Sequence, residues 1–165
     1  SYDLAVRIGS LPNSSMKARK IALNQIKLVA SSEYLENHPP LLHPRDLKTH
    51  RILQYGLLTT GDVWTFKGPD GEQKVRITPT MITNNGDVIM SAAIAGNGIC
   101  QLPTFILWQA LKDGNLVEIL PAYRIPETAI HVVYPPGKHL SPKVRAFIDY
   151  LIEFCGRRPY WDEAI

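Results

Sequence analysis

A chain of 165 residues with 45% hydrophobic side chains, 20% charged ones and a net charge of +3 can bury about 70% of its unfolded surface, enough for one domain or two small lobes. The charge is too slight and too dispersed for a dedicated nucleic-acid track; Lys17, Arg19, Lys20, Arg157 and Arg158 read as solvated surface. Cys100 and Cys155, both in apolar surroundings, make no disulfide framework and suit a reducing compartment, and neither a membrane-length apolar run nor a leader pattern is visible.

The chain opens on Leu4-Ala5-Val6-Arg7-Ile8-Gly9, a β-branched run that reads as a strand already under way, followed by a Ser-, Pro- and Asn-rich loop over 10–15. A second strand is expected over 26–30, a short capped helix over 31–36, a Pro-rich loop containing Pro39, Pro40 and Pro44, and a helical turn over 45–48. A strand over 51–55 comes next. Residues 64–67 and 74–78 flank Gly68-Pro69-Asp70-Gly71, whose Pro and Gly placement suits a tight hairpin reversal. Trp64 and Phe66 alternate to one face and are expected in a core.

The stretch over 83–105 is the most informative. Polar residues open a helix that Gly96 and Gly98 close, a buried strand over 99–102 stops at Pro103, and a second helix starts at Thr104, with Lys112 in its last turn and Gly114 past its end. Further strands are expected over 116–120 and 130–134. Ser141-Pro142 caps a long final helix in which Val144, Phe147, Ile148, Leu151, Ile152 and Cys155 recur on one face, read as core. Gly156-Arg157-Arg158-Pro159 ends it and leaves a loosely held tail. Strands mixed with helices define an α/β architecture.

Catalytic signatures are missing one after another: no Gly-x-Ser-x-Gly, no His-Glu-x-x-His, no Cys-x-x-Cys and no phosphate loop ending in Gly-Lys-Ser/Thr. Gly96-Asn97-Gly98 follows a helix and precedes a strand, the reverse of a dinucleotide loop. His38, His43 and His50 match no common zinc spacing and are read as surface or capping residues; His131 and His139 lack a nucleophile partner and are read as structural. Asp87 fits ordinary first-turn helix chemistry. No catalytic residue, metal ligand or cofactor is therefore assigned. What survives is polar chemistry at helix starts. Asn84 and Asn85 either simply cap their helix or, with the following N–H groups, face a cleft joined by Gln101 and Thr104 beside Pro103, suited to a small anionic or polar ligand.

Asp3-Leu4-Ala5-Val6-Arg7-Ile8-Gly9, Leu11-Pro12-Asn13-Ser14-Ser15, Ala18-Arg19-Lys20, Ala30-Ser31-Ser32-Glu33-Tyr34-Leu35, and Trp64-Thr65-Phe66 ahead of Pro69-Asp70-Gly71 form the first part of an ordered set. Asn84-Asn85-Gly86-Asp87, Ala92-Ala93-Ile94-Ala95-Gly96-Asn97-Gly98-Ile99, Leu102-Pro103, Val133-Tyr134-Pro135-Pro136, and the run from His139 to Asp149 complete it. As a set these resemble the effector-binding domain of LysR-type transcriptional regulators, over about residues 2–155. The resemblance implies a type 2 periplasmic-binding-protein-like fold: two α/β lobes joined by crossover strands near 28–30 and 128–130, with an inducer bound between them. It places 1–28 and 130–165 in the first lobe and 29–129 in the second. It also implies Arg7, Gly9, Asn84, Asn85, Gln101, Pro103 and Thr104 as ligand-binding residues.

Family members begin with a winged helix-turn-helix and further first-lobe elements that this sequence does not show, so the first lobe is expected to be incomplete and residues 4–8 an open strand edge prone to self-association. The implied function is inducer sensing in a bacterial, dimeric, cytoplasmic transcription regulator that reaches DNA only through that other domain and does not contact membrane. A solute-binding protein of a transporter is the alternative; an enzyme on the same fold is disfavoured.

Overall fold

The computed structural model describes residues 3–9, 15–56, 61–136, 141–156 and 158–163. Most of the loop expected over 10–15, together with His139, Arg157 and the last two residues, lies outside the described residues. In chain order the elements are β1 (Ala5–Ile8), β2 (Lys17–Asn24), β3 (Ile26–Ala30), α1 (Ser32–Glu36), a 3-10 turn (Pro44–Thr49), β4 (Ile52–Tyr55), β5 (Val63–Gly68), β6 (Gly71–Arg76) and β7 (Pro79–Thr83). There follow α2 (Gly86–Ile94), β8 (Ile99–Pro103), α3 (Thr104–Lys112), β9 (Val117–Glu118), β10 (Thr128–Tyr134), α4 (Pro142–Cys155) and α5 (Tyr160–Glu163). They form two compact units, one drawn from Ser1–Asn24 with Glu127–Ala164, the other from Gln25–Pro126.

The second unit is built on a five-stranded sheet in the order β7-β4-β8-β3-β9. β4 runs parallel to both β7 and β8, and β3 is antiparallel to β8 and β9. Period-2 alternation divides its core in two. Leu28, Ala30, Ile52 and Ile99 belong to one cluster with Tyr34, Leu47, Trp64, Phe66 and Val75. Val29, Leu53, Cys100 and Leu102 belong to the other, with Ile89 and Ala93 of α2 and Leu107 and Ala110 of α3. Each face of the sheet thus has its own cover, and strands buried on both sides need continuous apolar runs. The hairpin β5–β6 turns through Pro69-Asp70, and it carries Trp64 and Phe66 into the first cluster almost wholly buried. Each such side chain contributes about 1.5–3 kcal/mol by leaving water.

In the first unit β10 lies between β1 and β2, antiparallel to both. β2 was not anticipated, because its first half, Lys17-Ala18-Arg19-Lys20, is exposed and only Ile21, Ala22 and Asn24 turn inward. β7, Pro79-Thr80-Met81-Ile82-Thr83, was likewise not read from sequence, and the strand expected over 116–120 is reduced to β9. The final helix departs from its expected burial. Val144, Ile148 and Cys155 are buried, but Phe147 is 45% exposed, so the stripe is core along only part of its width. Over its described residues 158–163 the tail is held: α5 buries Trp161, and Tyr150, Phe154, Tyr160 and Trp161 make successive ring contacts with centroids 6.0, 6.2 and 5.1 Å apart.

The histidines of the second unit are structural. His43 caps the 3-10 turn, its Nδ1 accepting from Arg45 N–H while the Asp46 carboxylate accepts from His43 N–H. His38 stacks on Tyr34 at 3.8 Å and its Nδ1 donates to the Tyr34 carbonyl at 2.7 Å. His50 is buried, its Nδ1 lying 3.1 Å from the Tyr34 hydroxyl, which itself accepts from Arg51 N–H. Burial, reinforced by His38 and opposed by Asp46, pushes the His50 pKa below its usual value.

Two outcomes are expected. Because the folded His50 binds a proton less readily than the unfolded one, the stability it contributes is present above about pH 6.5 and is lost as pH falls through its lower folded value; urea midpoints across this window flatten in His50→Gln. Gly98 stands at φ +155°, and a Cβ there would fall only 2.5 Å from Arg51 O. Gly98→Ala therefore costs about 1–3 kcal/mol or more in the same assay.

Candidate functional site

Three parallel strands decide where the site lies. β7, β4 and β8 point the same way, so the helices that follow β7 and β8 both start at the carboxyl edge of these strands. Ligands of open α/β sheets bind outside that edge, where N–H groups and helix dipoles converge. The two helix starts are in contact: a Cβ on Gly86 would stand 2.6 Å from Ile106 Cδ1, so the first turn of α2 rests on the Ile106 side chain of α3.

The start of α2 is closed by its own residues. Asn85 Oδ1 accepts from the N–H groups of Asp87 at 2.9 Å and Val88 at 3.2 Å, while Thr83 Oγ1 accepts from Asn85 N–H. The capping reading of Asn85 therefore holds, and its amide NH2, which makes no bond among the described residues, stays available on an exposed residue. Asn84 is exposed beside it. The far end is a Schellman close: Gly96 N–H bonds Ala93 O and Asn97 N–H bonds Ala92 O, with Gly96 at φ +72°.

The start of α3 is different. Its N-cap is Pro103, which offers no side-chain acceptor, so this helix start has no side-chain cap bond. Thr104, the first helical residue, is fully buried; its N–H donates to Gln25 O at 2.9 Å, yet its hydroxyl Oγ1 has no partner among the described residues. Gln101, opposite Leu28 on β3, and Pro103 are half-buried on the strand leading to this turn. Asn84, Asn85, Gln101, Pro103 and Thr104 all belong to the second unit; Arg7 and Gly9 belong to the first, where Arg7 pairs with His131 and Gly9 N–H bonds Ala129 O. Neither the burial of Thr104 nor the lack of a partner for its hydroxyl was visible in the sequence, which marks it only as a helix-start residue.

This donor set can hold and orient a ligand. Cys100, behind it on β8, is buried and its thiol is pushed up to about 12, so it is no thiolate nucleophile. Among the described residues no three His, Cys, Asp or Glu side chains gather into a metal-binding group.

The mixed sheet, the crossing of the chain between two α/β units and the helix starts at the carboxyl edge define a type 2 periplasmic-binding-protein-like domain. The family model described as LysR substrate binding domain matches residues 1–156, and the chain belongs to that family. It is 39% identical over 87% of its length to an uncharacterised HTH-type transcriptional regulator of Haemophilus influenzae. It is 34% identical over 96% of its length to the HTH-type transcriptional regulator PtxR of Pseudomonas aeruginosa. The full-length structure of the Vibrio cholerae virulence activator AphB, a member of the LTTR protein family, superposes over 93% of the chain with a TM-score of 0.80 at 32% identity. The chain spans 50%, 51% and 52% of these three proteins respectively, about half of each.

Asn85→Ala removes both cap bonds of α2 and is expected to lower stability by about 0.5–2 kcal/mol in urea unfolding, with Asn85→Ser or Asn85→Asp restoring most of the loss.

Proposed function

We propose that this chain is the inducer-sensing domain of a bacterial LysR-type transcription regulator acting in the cytoplasm as a dimer, and that it binds a small polar or anionic molecule without catalysing its conversion. Asn84, Asn85, Gln101, Pro103 and Thr104 are the ligand-binding residues assigned on the second unit; Arg7 and Gly9 are those assigned on the first. Ligand binding shifts the balance between conformations, which requires an inducer with unequal affinity for them, and a helix-turn-helix elsewhere in the longer protein converts that shift into a change at DNA. The relatives named above are regulators, which favours this reading over a transporter's solute-binding protein.

The single observation that carries the site is Thr104: a fully buried hydroxyl with no partner in the chain, at the uncapped start of α3. An unmatched buried polar group costs about 1–3 kcal/mol, a cost offset when a ligand bonds it.

Thr104→Val separates function from packing. Without ligand the substitution is expected to leave the melting temperature unchanged or raise it, since the orphan hydroxyl is removed. For any small molecule that a thermal-shift screen shows to stabilise the wild-type chain, affinity falls by about tenfold, the value of one hydrogen bond of about 1.4 kcal/mol. Lower stability with unchanged affinity would refute the assignment.

A further inference from the structure

The sheet of the first unit sets three basic side chains in one row. Arg7 of β1 stands opposite His131 of β10, and His131 stands opposite Lys20 of β2. Directly opposed residues in antiparallel strands share a face, with Cβ atoms about 4.5–5.5 Å apart. Arg7, His131 and Lys20 therefore project from the same face, with His131 in the middle of the row. The next row on this face, Ala5, Val133 and Ala18, is small and apolar.

α4 does not cover the row. Arg19, one position before Lys20 and so on the opposite face, bonds Asp149 of α4 at 3.0 Å. That bond also exposes a contrast among the cations of this unit. Arg19 is matched by Asp149, and Lys143 by Asp3 at 2.7 Å. Arg7 and Lys20 have no carboxylate partner among the described residues, although like charges placed across strands repel. Between them, His131 Nδ1 is buried and has no hydrogen-bond partner among those residues. A buried ring nitrogen needs a partner, and as an N–H it needs an acceptor.

We propose that this row binds a small oxyanion, a carboxylate or phosphate group, with Arg7 and Lys20 supplying charge and His131 Nδ1–H the inner donor. The planar fork of an arginine matches such a group through paired N–H bonds, while a lysine contributes a mobile point charge. The site rests on the first unit alone; it deepens the proposed function by naming the chemistry that Arg7 recognises.

The test is an NMR titration of the His131 ring signals in the 165-residue chain at pH 7. Sodium phosphate and sodium acetate are added separately, with ionic strength held constant by sodium chloride. A saturable shift with either anion is expected, and the stronger of the two identifies the group. Arg7→Gln raises the apparent Kd by about tenfold and Lys20→Gln by a smaller factor, with Arg7→Lys intermediate because charge is kept and the fork is lost. Lys27→Gln, at a cation already paired with Glu118 in the other unit, changes nothing. A shift that follows ionic strength alone, or an Arg7→Gln protein with an unchanged amide spectrum and an unchanged titration, overturns the site. The Thr104→Val measurement reads the second unit, so either proposal can fail while the other stands.

Discussion

One backbone contact sets the geometry on which the second unit depends: Ile99 N–H donates to Arg51 O at 2.9 Å, at the point where β8 enters beside β4. The approach is possible because Gly98 has no Cβ to meet that same oxygen. It lets β8 run parallel to β4 directly after the Schellman close of α2. The start of α3 is then delivered to the same edge as the start of α2. A side chain at position 98 would push the strand entry away, and the pairing of Ile52 with Ile99 and of Leu53 with Cys100 would suffer first.

The two helix starts are physically unlike. α2 satisfies itself through Asn85 and Thr83, and its exposed Asp87 suits the positive end of the helix. α3 has a proline N-cap without a side-chain cap bond and a buried threonine whose hydroxyl has no partner among the described residues. Protein interiors rarely leave polar groups unmatched, so the Thr104 hydroxyl calls for a partner. Surface ion pairs contribute comparatively little: Arg19 and Asp149 are each about half exposed, and such pairs are worth roughly 0–1 kcal/mol.

Local chemistry made much of this legible from sequence. Asn-Asn-Gly-Asp announces a capped helix, Gly-Pro-Asp-Gly a hairpin, and Ser141-Pro142 a helix start, because each acts over three or four residues. What escaped depended on partners distant in sequence. The basic half of β2 is a strand only because β10 pairs with it, and nothing in Lys17-Ala18-Arg19-Lys20 encodes that. The stripe on α4 says which residues share a face and not how wide the covering surface is, so Phe147 was placed in a core it does not enter. Trp161 was assigned to a loose tail because ring packing against Tyr160 cannot be read from composition. At the candidate site, residue types at the helix starts were readable, while the isolation of the Thr104 hydroxyl required coordinates.

The first unit is assembled from the two ends of the chain, with the second unit inserted between them. This gives the domain an order of assembly. The second unit, Gln25–Pro126, is continuous and can complete its hydrogen-bond ladders from its own residues. β2 can meet β10 only by closing a long loop, as the Asn24 to Thr128 hydrogen bond across 104 positions shows. The entropy of such closure grows with loop length and must be met before β1 or β2 can pair with β10; a folded insert between the two segments removes much of that freedom in advance. β1 and β2 therefore find their common partner only once Thr128–Tyr134 is in place.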